Sequence, residues 1–187
     1  MNRWVLGITC FLGIAVFGII WSVVAAINSP IIEDQSYLMK KSLVDTEINQ
    51  IIQRENLFST RFVLYASLNT SPAIETSNRL VFPYYAHQEG AHQIQALPKN
   101  TMFVRVVAKD VKQANKADSP ALRLKLFLDY YQDKKVIEVG SMQFVGGEYK
   151  SGEFALKKGL YKAIFEVSEA GDEKKDKLYF QKEFIVY

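Results

Sequence analysis

The chain is poor in the residues that do chemistry. It has one cysteine, Cys10, and two histidines among 187 residues. Cys10 lies inside an apolar run, so everything after residue 27 is free of cysteine and therefore of disulfides and thiol catalysis. No glycine-rich phosphate loop, nucleophile elbow or paired metal motif is present. A formal charge of +3 with no block of like charge points to no nucleic acid. Neither an internal repeat nor a low-complexity segment occurs.

What is present begins at Trp4. From there to Ile27 the chain carries no charged side chain. A helix of about 20 apolar residues spans the ~30 Å hydrocarbon core of a bilayer. Trp4 and Trp21 stand near the two ends of the run, as interfacial aromatics do. Arg3 precedes it, and Glu33 and Asp34 follow before any basic residue. The positive-inside rule places the amino terminus in the cytoplasm and residues 30–187 outside, in the periplasm of a two-membrane bacterium. A cleavable signal peptide is the competing reading, with Val23-Val24-Ala25 or Val24-Ala25-Ala26 before the cut. Signal h-regions are about 7–15 residues long, so the longer run here favours an uncleaved inner-membrane anchor over 1–29. Gly7, Gly13 and Gly18 are small positions along it that let a second helix approach, with Trp21 near them.

Asn28-Ser29-Pro30 closes the run, because proline disfavours helix in the residue before it. Leu38, Val44, Ile48, Ile51 and Ile52 then recur at steps close to a helical stripe, with Asp45, Glu47, Gln50 and Arg54 mostly off it. The spacing predicts a juxtamembrane amphipathic helix within 30–57. From Phe58 the period becomes two. Strands are predicted at 62–68, 102–109, 122–128, 136–145, 148–156, 161–167 and 177–187, with 79–85 as a further candidate, the cleanest being Leu122, Leu124, Leu126 and Leu128 against Arg123 and Lys125. Some seven short strands separated by turn signals predict an antiparallel immunoglobulin-like β-sandwich over 58–187.

His87 and His92, with Glu89 between them, are the candidate metal ligands, and imidazole suits copper or zinc. Their five-residue step crosses Gly90 without a third ligand, so a solvated loop is the favoured reading and no metal is assigned. Met102 and Met142 fall in strand patterns and read as core. Tyr84, Tyr85, Tyr130, Tyr131, Tyr149 and Tyr161 read chiefly as strand residues. Tyr130 and Tyr131 are adjacent, so one of the two faces outward. No cofactor, small-molecule substrate or catalytic residue is assigned.

Three stretches carry a resemblance. NSPIIEDQSYLMKKSLVDTEIN follows the anchor with Glu33, Asp34 and Tyr37. ALRLKLFLDYYQDKKVIEVGSMQF is the second, matching a central hairpin in the family it resembles. GGEYKSGEFALKKGLYKAIFEV sets Gly147, Tyr149, Gly152, Gly159 and Tyr161 around two strands. In order and spacing the chain resembles the FixH (CcoH) family, single-span proteins associated with cbb3-type cytochrome c oxidase. Tyr161 stands where many members carry tryptophan, and 71–100 departs most from the family pattern. The resemblance implies a non-enzymatic factor for assembly or stability of a haem-copper oxidase, touching its membrane subunits through the anchor face at Gly7, Gly13, Gly18 and Trp21 and the juxtamembrane residues Asp34 and Tyr37. Periplasmic copper handling through the histidines and a generic anchored interaction domain are the alternatives.

Overall fold

The computed structural model describes residues 3–28, 37–38, 41–84, 91–95, 97–109, 122–131, 135–169 and 177–187. The chain divides into two units, Met1–Glu33 and Asp34–Tyr187.

The first unit is helix α1, Arg3–Asn28, of 26 residues. At 1.5 Å per residue it is about 39 Å long, enough to cross a membrane. Its described side chains are exposed, Trp4 at 80% and Phe11 at 72% among them. The hydroxyls of Thr9 and Ser22 donate to the carbonyls of Val5 and Gly18 at 2.8 and 2.9 Å. Polar side chains satisfied within their own helix need no water.

The second unit opens its regular structure with helix α2, Lys41–Arg61, which passes directly into strand β1, Phe62–Leu68. Ser59 and Thr60 donate to the carbonyls of Asn56 and Leu57 at the helix end, and Arg61 complements the negative end of the helix dipole. The remaining strands are β2 His92–Ile94, β3 Met102–Ala108, β4 Leu122–Tyr130, β5 Ile137–Ser141, β6 Gln143–Val145, β7 Glu148–Lys150, β8 Gly159–Glu169 and β9 Leu178–Val186. They form a four-stranded sheet in the order β1-β3-β7-β6 and a five-stranded sheet in the order β2-β9-β8-β4-β5. The β2–β9 pair is parallel and the others are antiparallel.

Alternation decides the core. Leu122, Leu124, Leu126, Leu128 and Tyr130 of β4 are buried and stand in register with Glu169, Val167, Phe165, Ala163 and Tyr161 of β8. Leu64, Ala66 and Leu68 of β1, Met102 and Val104 of β3 and Tyr149 of β7 join them in one apolar cluster shared by both sheets. A fully buried leucine contributes about 1.5–3 kcal/mol. The outward face of β8–β9 is not wet either, since Lys162, Ile164, Glu166, Tyr179 and Gln181 are all buried.

Five expectations need correction, one being the strand expected over 148–156, which ends at Lys150 and leaves Phe154 in an isolated bridge to Asn100. The helix expected within 30–57 begins at Lys41 and runs on to Arg61, while Tyr37 and Leu38 form a turn and bend, Leu38 at φ 50°. The predicted strand at 79–85 is two isolated bridges, Tyr65↔Arg79 and Val81↔Gln181, which tie the segment to one sheet and then to the other. The single strand expected over 136–145 is two, pivoting on buried Met142 so that β5 pairs with β4 and β6 with β7. Strand β2 was not anticipated.

Candidate functional site

Two features of the chain offer surface for function. The first is α1. A helix turns about 100° per residue, so Gly7 and Gly18 lie about 20° apart around the axis, and Trp21 lies about 40° to the other side of Gly7. Gly13 is about 120° away from Gly7 by the same geometry. The expected partner face therefore splits. Gly7, Gly18 and Trp21 share one side, and Gly13 belongs to another. A Cβ added at any of the three glycines meets nothing within 4 Å, so all three are open to a neighbour. Phe17 packs on Trp21 with ring centroids 6.3 Å apart, widening the aromatic edge of that side.

The second feature is α2 with the turn before it. Val44, Ile48, Ile51, Ile52 and Phe58 face inward, Ile51 and Phe58 being buried. Phe58 packs on Phe62 and Phe180 at 5.3 and 5.4 Å, joining the helix to the core. Glu55 lies on the same stripe, four residues after Ile51 and three before Phe58, and its exposure is 0%. The sequence reading passed over it, although a carboxylate on an apolar helical stripe was legible as an anomaly. Tyr37 faces the Glu55 carboxyl but falls outside hydrogen-bonding geometry, so neither carboxyl oxygen receives a hydrogen bond among the described residues. Burial raises the pKa from 4.5 to about 8, opposed by the Arg54 charge and the Tyr37 hydroxyl.

Tyr37 is one of the two expected juxtamembrane contact residues. Its ring packs edge-on against Tyr179 at 6.1 Å, so part of it is engaged by its own domain. Tyr179 donates to Glu166 at 3.4 Å, and Lys177 reaches the same carboxylate at 3.0 Å. Burial, and then the Glu166 charge beside it, push the Tyr179 phenol well above its usual range. Asp34, the other expected contact, lies outside the described residues.

The remaining polar clusters are structural. Arg105 of β3 donates through Nε to Glu148 of β7 at 2.9 Å, and Ser71 donates to the same oxygen at 2.5 Å. Burial raises the Glu148 pKa, but the Ser71 hydroxyl and the Arg105 guanidinium outweigh it and hold the carboxyl below 4.5. Replacing Arg105 by alanine is expected to cost about 1 kcal/mol, the scale of a half-exposed ion pair, with the loss of stability measured by urea titration and abolished by high salt. A cleft of about 180 Å³ opens beside the end of α2, where Leu57, Phe58, Leu122 and Leu178 meet. The Arg61–Glu169 ion pair stands at the same place, at 2.5 Å. Among the described residues no three His, Cys, Asp or Glu side chains converge as a metal site. His87 and Glu89 lie outside the described residues. His92 is placed in β2 opposite Phe184, by backbone pairing.

No family model and no curated protein matches this chain. Its function is therefore argued from its own residues.

The glycine- and tyrosine-containing stretch from Gly147 to Tyr161 has a physical role here. Gly147 closes the β6–β7 hairpin at φ 88°, a conformation that favours glycine. Tyr149 donates to the Leu122 carbonyl across the core at 3.1 Å. Tyr161 stacks between Tyr130 and Phe184, at 4.7 and 5.6 Å, and its hydroxyl accepts from the Lys157 amide at 2.8 Å. Of the tyrosines set apart in the sequence, Tyr130 is buried, Tyr131 half-buried and outward, and Tyr84 exposed. Tyr85 lies outside the described residues.

Proposed function

We propose that this chain is a single-span, non-enzymatic accessory factor of the FixH (CcoH) type, serving assembly or stability of a cbb3-type cytochrome c oxidase. Its amino terminus is cytoplasmic and its β-domain, of immunoglobulin-like type, is periplasmic. The observation that carries this reading is α1, a helix without charge from Trp4 onward, whose described side chains are all exposed and which presents Gly7, Gly18 and Trp21 on one side. Such a helix is long and apolar enough to cross a membrane. Lipid removes most of the hydrophobic drive between helices, so association there rests on close approach at small residues. The partners that fit are the membrane subunits of the haem-copper oxidase. Three features further support the reading: Arg3 at the start of the helix, Glu33 and Asp34 after it in the sequence, and the order of the strands beyond.

Gly18 and Gly13 separate this reading from a nonspecific anchor. Gly18→Leu fills the proposed contact face and is expected to lower recovery of oxidase subunits in mild detergent about threefold or more, the scale of one interhelical contact. Gly13→Leu adds the same bulk on another side and is expected to leave recovery unchanged. Equal recovery with both variants would remove the proposed face.

A further inference from the structure

Glu55 is unused by the proposed contact with a membrane partner, and its placement is costly. An ionised carboxylate is strongly disfavoured where it is desolvated and undonated, whereas the neutral acid is tolerated there. The charged and titratable groups around it can be named. Arg54 is the neighbour on its own helix, with Nε donating to the Gln50 carbonyl at 3.3 Å. Tyr37 faces it from the turn before the helix. Tyr179 of β9 carries the Tyr37 ring, and behind it stand Glu166 of β8 and Lys177. Lys177 is already engaged with Glu166 at 3.0 Å, so it offers Glu55 no counter-charge. Further along the same outward face Lys162 lies over the Tyr131 ring.

Burial outweighs the Arg54 charge and the Tyr37 hydroxyl, so the site favours the neutral acid, and the same contacts seat two pieces of chain. One is α2. The other is the Tyr37 turn, which in sequence lies between the membrane helix and α2. We propose that Glu55 is a proton-controlled latch, whose neutral form holds α2 and Tyr37 on the β-domain and whose ionisation unseats them. Release withdraws Phe58 from the shared core but leaves the β4–β8 pairing, whose contacts run through Phe165, Leu126 and their neighbours. It adds the residues before β1 to the tether between anchor and domain. A fall in pH on the domain's side of the membrane seats the helix, and a rise frees it.

The test is hydrogen–deuterium exchange of the full-length chain in detergent micelles at pH 6.5 and 9.0, with rates corrected for intrinsic base catalysis. The seated carboxyl titrates at about 8 and the unseated one near 4.5. Linkage then makes opening of α2 roughly thirty-fold more frequent at the higher pH. Exchange in β4 and β8 should stay constant, and Glu55→Gln should remove the pH dependence. Three results would overturn the latch: the glutamine variant following the wild-type profile, β4 and β8 opening in step with α2, or, in carbon-detected titration of the wild-type Glu55 carboxyl, a midpoint near 4.5.

Discussion

Replacing Gly159 by alanine is expected to lower the unfolding free energy of the β-domain by roughly 3–5 kcal/mol. Two costs combine. Gly159 opens β8 at φ 145°, a backbone region that side-chain-bearing residues rarely adopt. Holding a non-glycine residue in such a region costs about 1–3 kcal/mol. An added Cβ would also lie 2.6 Å from Tyr130 Cε2 and 3.0 Å from its hydroxyl oxygen. That ring cannot yield cheaply, because it stacks on Tyr161 at 4.7 Å and its hydroxyl donates to the Lys158 carbonyl at 3.1 Å. Overpacking of this kind costs about another 1–3 kcal/mol. Gly152 provides the contrast within the same stretch, since a Cβ there meets nothing within 4 Å and its φ is unexceptional. Gly152→Ala is expected to fall within about 0.5 kcal/mol of wild type. Denaturant titration of the full-length chain, followed by circular dichroism in the tyrosine region, distinguishes the two. Adding Tyr130→Leu to Gly159→Ala should recover part of the loss, because the two positions share one contact.

Stability should also fall as the solution becomes more alkaline across a range where most domains are indifferent. Glu55 titrates at about 8 in the folded chain against an ordinary value near 4.5. Between those values the folded state holds a proton that the unfolded state has lost, so stability declines with rising pH. The contribution is complete below about pH 4.5 and is gone above about pH 8. From pH 5.5 to 7.5 the same two values give a decline of about 2.5 kcal/mol, or roughly 5–10 °C in melting temperature for a domain of this size. Glu55→Gln should flatten this part of the profile. A wild-type curve already flat between pH 5.5 and 7.5 would contradict the buried neutral acid.

The parts of the fold legible in the sequence are those where one side chain decides one face. The leucines of β4 alternate with Arg123 and Lys125, and the structure buries every one of them. Strands β1 and β3 follow the same logic, whereas β8 and β9 are buried on both faces, with Lys162, Glu166 and Gln181 among the buried residues. What was not legible depends on backbone partners. The apolar positions change phase between Val139 and Met142, across Gly140-Ser141, where the chain leaves one sheet for the other, and a single strand drawn over 136–145 ignores that shift. His92–Ile94 has no strand pattern of its own and is ordered by parallel pairing with β9. Arg79–Phe82 has a strand pattern, yet each sheet takes a single bridge from it. The candidate site divides likewise. The apolar helix was plain from composition. The separation of Gly13 from Gly7 and Gly18 needs only helical spacing and was available from the start. Tyr37 was singled out for a partner, whereas the structure shows its ring against Tyr179, a contact between residues 142 positions apart that no local pattern encodes.

The measurement that bears most directly on the proposed role is affinity purification of the full-length chain in mild detergent, with a reduced-minus-oxidised haem spectrum and mass spectrometry of the eluate. Haem b and haem c absorbance accompanied by oxidase membrane subunits, and diminished by Gly18→Leu, is the predicted result. An eluate free of haem and of oxidase subunits, from cells that express the oxidase, would contradict it.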